Sequence, residues 1–277
     1  MPQFLRCGKF SLDLSRPLIM GVVNITPDSF SDGGLYLDPK LAITHARQLI
    51  GEGADILDIG AESTRPGAAP VSLEEERRRL LPVLEGLAAG NVPVSVDTRK
   101  PALMREAIAA GAAMVNDVTA LSAPGALEAV AKTPAAVCVM HMQGEPGTMQ
   151  ANPSYRDVVS EVRDYLARRV AAAEAAGIAR ERILVDPGFG FGKTLEHNLA
   201  LLRSLGELRS LGGALLAGLS RKAMLGKLTG REPQDRVYAS VAAALVAVQN
   251  GAHIVRVHDV AATRDALAVW QAVKITS

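Results

Sequence analysis

Pro17-Leu18-Ile19-Met20-Gly21-Val22-Val23-Asn24 opens the stretch that sets the architecture, which runs on to the apolar segment Asp55-Ile56-Leu57-Asp58-Ile59-Gly60. Between them, residues 41–50 place apolar side chains at helical spacing and stop at Gly51-Glu52-Gly53. A short apolar strand, a helix and a second short apolar strand make one β-α-β unit. The connection out of the first strand, residues 24–34, is about twice the ordinary strand-to-helix length. It holds two Asp, two Ser, a Thr, an Asn, paired glycines and one exposed Phe, Phe30. Such a composition does not pack a core, so the segment is read as a functional loop with Asn24 fixed at the strand end, an ordinary surface loop being the alternative.

Working outward, the same unit repeats. Strands are expected over 93–98, 113–117, 135–141, 182–186, 214–219 and 253–258. Helices are expected over 73–87, 101–110, 124–131, 155–176, 195–205, a broken region ending in 237–249, and 261–272. Ser72-Leu73-Glu74-Glu75 has the capping-box pattern, and Arg77-Arg78-Arg79 reads as a solvated face. Eight strand-helix pairs in strict alternation imply parallel strands joined by right-handed crossovers, and at this length the fold is an α/β (β/α)8 TIM barrel. Residues 1–277 form one domain, with 1–16 covering the lower end of the barrel and long loops after strands one and two. The runner-up is an open doubly wound sheet, but its glycine-rich fingerprint is missing from the first turn. The glycines of Pro187-Gly188-Phe189-Gly190-Phe191-Gly192-Lys193 read as a tight strand-to-helix turn.

Composition narrows the function classes. Thirty basic against twenty-nine acidic residues leave a net charge of +1, so no global field draws the chain to nucleic acid or an anionic membrane. Any phosphate recognition is therefore local. No apolar run is long enough to span a bilayer, and two cysteines far apart fit a reducing compartment without disulfides. A cytoplasmic protein that partners neither nucleic acid nor membrane is the expectation.

In a barrel of this kind the site is built at the C-terminal strand ends. Asn24, Asp58, Asp97, Asn116, His141, Asp186, Lys222 and His258 fall there, with Arg256 pointing inward two residues before His258. For Asp58 and Thr98 a structural role, such as capping the next helix, is the reading taken. Asp97 and Asp186 accept from a ligand with several N–H donors, Asn116 offers donor and acceptor, and Lys222 a charged donor, which suits a planar heterocycle with an amidine-like edge. Arg65, Arg256 and His258 suit a phosphate or pyrophosphate, and Asn24 could hold its Mg²⁺ through oxygen.

The motifs then become familiar. Residues 20–34 together with Glu62-Ser63-Thr64-Arg65-Pro66-Gly67, Ser95-Val96-Asp97-Thr98, residues 186–193, Ser220-Arg221-Lys222 and Arg256-Val257-His258-Asp259 resemble the dihydropteroate synthase family over nearly the whole chain and in the family's order. One departure is visible: the family usually carries Gly-Gly before Glu-Ser-Thr-Arg-Pro-Gly, whereas Gly60 is followed here by Ala61. The resemblance implies an alkyl- or aryl-transferring enzyme of folate biosynthesis. It would join p-aminobenzoate to 6-hydroxymethyl-7,8-dihydropterin diphosphate, giving 7,8-dihydropteroate and pyrophosphate by a dissociative displacement.

By matched positions the resemblance places the pterin with Asp97, Asn116, Met140, Asp186, Phe191, Lys222 and Arg256. It places the diphosphate with Asn24, Arg65 and His258, and Mg²⁺ on Asn24. The p-aminobenzoate pocket takes Phe30, Thr64, Pro66, Phe191, Ser220 and Lys222, and sulfonamides would compete there. Catalysis would rest on Asp97, Lys222, Arg65 and His258. The resemblance also implies a homodimer through barrel helices, with 237–248 as candidate face. A corrinoid-type pterin-binding methyltransferase and a non-catalytic pterin-binding paralogue are the alternatives, and the motifs at 62–67 and 220–222 argue against the former.

Overall fold

The computed structural model describes residues 3–26, 38–63 and 70–275. Two short strands come first, β1 (Phe4–Cys7) and β2 (Phe10–Asp13), paired antiparallel. The next eight are β3 (Leu18–Asn24), β4 (Ile56–Gly60), β5 (Val94–Asp97), β6 (Met114–Asp117), β7 (Ala136–Met140), β8 (Ile183–Asp186), β9 (Ala214–Ala217) and β10 (Ile254–Val257). They close into a barrel in the order β10-β3-β4-β5-β6-β7-β8-β9, parallel at each seam. The helices of the alternation are α1 (Pro39–Gly51), α2 (Leu73–Leu87), α3 (Pro101–Ala109), α4 (Ala126–Ala131), α5 (Val158–Ala175), α6 (Leu195–Arg203), α7 (Ala223–Thr229), α8 (Val237–Gln249) and α9 (Val260–Ile275). This is the expected (β/α)8 barrel.

Local chemistry sets the helix starts. Asp38 accepts from the Lys40 amide ahead of α1, whose first residue is Pro39, and Asp157 accepts from the Val159 and Ser160 amides, so α5 begins at Val158 rather than 155. Ser72 accepts from the Glu75 amide at 3.2 Å. The Glu75 carboxylate does not close a capping box: Arg78 and Arg79 hold it at 2.8 and 2.6 Å. Nor is the arginine run a uniform solvated face, because Arg79 is only 12% exposed and donates to the Ala61 carbonyl. Ala61 itself lies outside the left-handed region; among the described residues other than glycine, only Ala120, Leu121 and Arg221 have positive φ.

The strands sort their side chains by period two. One set, including Ile19, Leu57, Val96, Val115, Val139, Val185 and Val255, packs outward with the helices. The other points into the barrel. Its lower members, Leu18, Met20, Ile56, Met114, Cys138, Leu184, Leu216 and Ile254, join Leu5, Cys7 and Leu14 of the N-terminal segment in a separate apolar cluster. The β1-β2 hairpin thus covers the lower end, and the Gly8 amide fixes its turn to the Pro134 carbonyl at 3.0 Å. Its strand character was not anticipated in the sequence. Two residues further along the same strands the inward positions become polar: Ile56 gives way to Asp58, Met114 to Asn116, Leu184 to Asp186 and Ile254 to Arg256.

Candidate active site

The polar ends of the strands open onto a cavity of about 550 Å³. Asn24, Asp97, Asn116, Met140, Asp186, Phe191, Ser220, Lys222, Arg256 and His258 all line it. The described residues assigned a binding or catalytic role therefore converge there, whereas Asp58 and His141 of the strand-end set do not line the cavity. Phe30, Thr64, Arg65 and Pro66 lie outside the described residues.

The floor is a network of charge. Arg256 Nε donates to Asp58 Oδ2 at 2.6 Å, and its Nη2 donates to Asp97 Oδ2 at 3.4 Å. Asn116 Nδ2 donates to the same Asp58 oxygen at 3.1 Å. Asp58 is fully buried, and it ties two cavity residues together instead of capping a helix. Burial lifts the Asp97 carboxyl well above the usual carboxylate range, and the Asp58 charge adds to this against the pull of Arg256. Asp186 is raised as well, by burial, although the Gly188 amide donates to it at 2.7 Å and Lys222 pulls the other way.

Above the floor, Lys222 donates to the Phe189 carbonyl and places its ammonium 4.2 Å from the centre of the Phe191 ring. Burial brings it down to about 8, against the opposing charge of Asp186. Ser220 and His258 meet at the rim, where Ser220 Oγ lies 3.0 Å from His258 Nδ1 and accepts from the His258 amide at 3.2 Å. Arg221 between Ser220 and Lys222 takes a left-handed turn (φ 58°), and its guanidinium is held by Asp259 at 2.6 Å. That turn lets both Ser220 and Lys222 reach the cavity.

The sequence missed Lys193, Asn198, Met149 and Gln150, which also line the cavity. Lys193 is buried and donates to the carbonyls of Gly188 and Phe191, both at 3.0 Å, and its Nζ is 2.9 Å from His141 Nδ1. Burial lowers Lys193 to about 7; burial and the Lys193 charge lower His141 to about 3. His141 is thus a loop anchor outside the cavity lining. The connection 142–157 packs on this turn: Tyr155 Oη donates to the Gly192 carbonyl at 2.7 Å, and Gln150 donates to the Gly190 carbonyl. A Cβ at Gly188 or Gly192, both at positive φ, would collide with the carbonyls of His141 or Gln143. Lys193 stands in the 186–193 motif but off a strand end, and Met149 and Gln150 lie mid-loop, where the strand-end rule gives no signal.

A cavity with carboxylate acceptors and an amide below, a lysine over an aromatic ring, and a Ser-His rim suits a flat, N–H-rich heterocycle bearing an anionic group. The comparisons agree with that chemistry. The family described as "Pterin binding enzyme" matches residues 20–258. The chain is 55% identical over 277 residues to dihydropteroate synthase of Neisseria meningitidis serogroup B, covering 98% of this chain and 97% of that one. The crystal structure of Yersinia pestis dihydropteroate synthase in a sulfonamide drug complex superposes with a TM-score of 0.95 at 48% identity, covering 98% and 99% of the two chains. That of Burkholderia cenocepacia dihydropteroate synthase complexed with 7,8-dihydropteroate gives 0.91 at 52% identity, covering 99% and 98%. The chain belongs to the pterin-binding enzyme family and, within it, to the dihydropteroate synthases.

Proposed function

We propose that the chain condenses 6-hydroxymethyl-7,8-dihydropterin diphosphate with p-aminobenzoate to 7,8-dihydropteroate and pyrophosphate, a step of folate biosynthesis, in the cavity at the strand ends. The observation that carries this reading is the convergence of Asp97, Asn116, Asp186, Lys222 and Arg256 on one polar layer inside the barrel mouth. Asp97 and Asp186 would take the N–H donors of the pterin, and their oxygens, aimed at the ring, would stabilise the cation that develops on the methylene carbon as diphosphate departs. Lys222 and Phe191 would border both the pterin and the arylamine, with Ser220 receiving the p-aminobenzoate carboxylate.

His258 would sit with the diphosphate, and Arg65 is assigned there by its motif alone. The arylamine is neutral at pH 7, so it requires positioning and exclusion of water more than a base. The displacement is therefore read as dissociative.

The family resemblance also brings in Mg²⁺. Among the described residues, no group of three or more His, Cys, Asp or Glu side chains is arranged to hold a metal ion. Mg²⁺ keeps several waters and takes phosphate oxygens, so the single amide oxygen of Asn24 at the cavity rim suits it. When bound it would neutralise the leaving diphosphate. Adjacent helices α8 and α9 expose Tyr238, Val246, Val269 and Val273, which supports a homodimer on that face. Among the described residues no helix is long and apolar enough to cross a membrane, and both cysteines are buried and unpaired, in keeping with action in the cytoplasm.

Pyrophosphate release from the pterin diphosphate, measured with and without p-aminobenzoate, tests the reading. Release that depends on the amine is expected, with sulfonamides competing. Release independent of the amine, or pterin binding without release, would overturn it.

A further inference from the structure

Asp58 is a costly residue where it stands. It is fully buried, and both of its hydrogen bonds go to cavity residues through the single oxygen Oδ2: Arg256 Nε at 2.6 Å and Asn116 Nδ2 at 3.1 Å. Its other oxygen has no hydrogen-bond partner among the described residues. A buried carboxylate used this way is poor value for stability, since apolar side chains of similar volume commonly do as well or better. Its partners show what it does instead.

An amide side chain has one donating and one accepting end, and a carboxylate locked to an arginine only accepts. One of the two Nδ2 hydrogens of Asn116 is therefore committed to Asp58, which fixes the rotation of the amide and leaves the carbonyl Oδ1 as its accepting end for the cavity, which Asn116 lines. Asp97 is the register partner of Asn116 on the neighbouring strand, and its Oδ2 accepts from Arg256 Nη2 at 3.4 Å. With Asp186 on β8, the wall presents three acceptors together. The donors, Lys222 and Arg256, are separate groups, and Asp58 holds the second of them as well.

We infer that Asp58 is a positioning residue that sets the hydrogen-bond polarity of the pterin wall, fixing which way the Asn116 amide faces and thereby favouring ring edges that donate over ring edges that accept. The inference rests on the proposed pterin site and deepens it. A 2-amino-4-oxo pteridine offers the amino and ring N–H donors this wall requires. The 2,4-dioxo pteridine of the same size presents a carbonyl in place of the amino group, and a site with fixed acceptors rejects it. If Asp58 were only a packing residue, its removal would weaken both rings alike.

The test is calorimetric binding of pterin and of lumazine, its 2,4-dioxo analogue, to the wild type, Asp58→Ala and Asp58→Asn. The wild type is expected to favour pterin. Asp58→Ala frees the Asn116 amide to rotate and should cut the pterin-to-lumazine ratio by at least about tenfold, with KM for p-aminobenzoate unchanged. Asp58→Asn retains one acceptor oxygen for Arg256 and Asn116 and should restore most of the ratio. An unchanged ratio in Asp58→Ala would overturn the inference while leaving the proposed function standing. Absence of pterin binding to the wild type would instead fell the functional reading. Should Asp58→Ala fail to fold, a neutron structure of the wild type decides: deuterons on the Asn116 nitrogen facing Asp58 support the inference, and the amide oxygen facing Asp58 overturns it.

Discussion

The two ends of the barrel interior are built from the same eight strands and differ in almost every other respect. Below, Leu18, Met20, Ile56, Met114, Leu184 and Ile254 meet Leu5, Cys7 and Leu14 of the hairpin in a closed apolar cluster. Two residues further along, Asp58, Asn116, Asp186 and Arg256 stand in the equivalent inward rows, joined by Asp97. One end removes apolar surface from water and the other gathers desolvated charge. The difference teaches that stability and chemistry are separated along the barrel axis, as parallel barrels allow. A substitution should therefore damage one property far more than the other, according to its height.

The largest effect is expected at the upper end. Asp97→Asn should lower kcat/KM by about 10²-fold or more, because it replaces an acceptor oxygen aimed at the reacting ring with an amide nitrogen. Thermal unfolding should show little loss, since a buried carboxylate is replaced by a neutral isostere. Loss of the fold in place of activity would break the separation.

Next comes its mirror image. Leu5→Ala, in a side chain with no exposure, should cost about 2–5 kcal/mol of stability and lower Tm by several degrees, leaving turnover at 25 °C unchanged. Calorimetry beside steady-state kinetics would check both halves. A fall in kcat without a fall in Tm would show that the lower cluster reaches the site.

A third expectation concerns pH. Burial raises Asp97 above its unfolded value, so the folded protein holds that proton over a range where the unfolded chain has released it. The sign follows: the contribution is full below the unfolded value near 4 and is lost as pH rises toward about 8. Other groups titrate in this range, Lys193 and the buried histidines among them, but they cancel in a difference between proteins. Tm of the wild type relative to Asp97→Asn should therefore fall between pH 5 and 8. Parallel curves would show that the carboxyl is not perturbed.

The smallest effect is expected outside both layers. Arg16 pairs with Asp55 at 2.6 Å but is 47% exposed, so Arg16→Ala should cost less than about 1 kcal/mol and leave activity intact.

The polar upper layer was legible in the sequence because period two and the strand-end rule act together: a short apolar run ending in Asp97, Asn116, Asp186 or His258 places that side chain at the mouth. Strand ends held to within one or two residues for the same reason. Asp58 was legible as a strand-end carboxylate, but its partner Arg256 lies 198 residues away and no local pattern joins them. Lys193 was hidden differently. Its partners are carbonyls of its own turn and the His141 ring, and backbone acceptors leave no mark in a sequence. The hairpin went unread because two four-residue strands carry too little periodicity to separate from a loop.

A crystal structure of the protein with 7,8-dihydropteroate bound would show where the pterin sits. Pterin N–H groups are expected within hydrogen-bond distance of the Asp97 and Asp186 carboxyl oxygens, with the aminobenzoate carboxylate toward Ser220. A pterin ring bound elsewhere, or seated with its N–H edge away from both carboxylates, would contradict the proposed site.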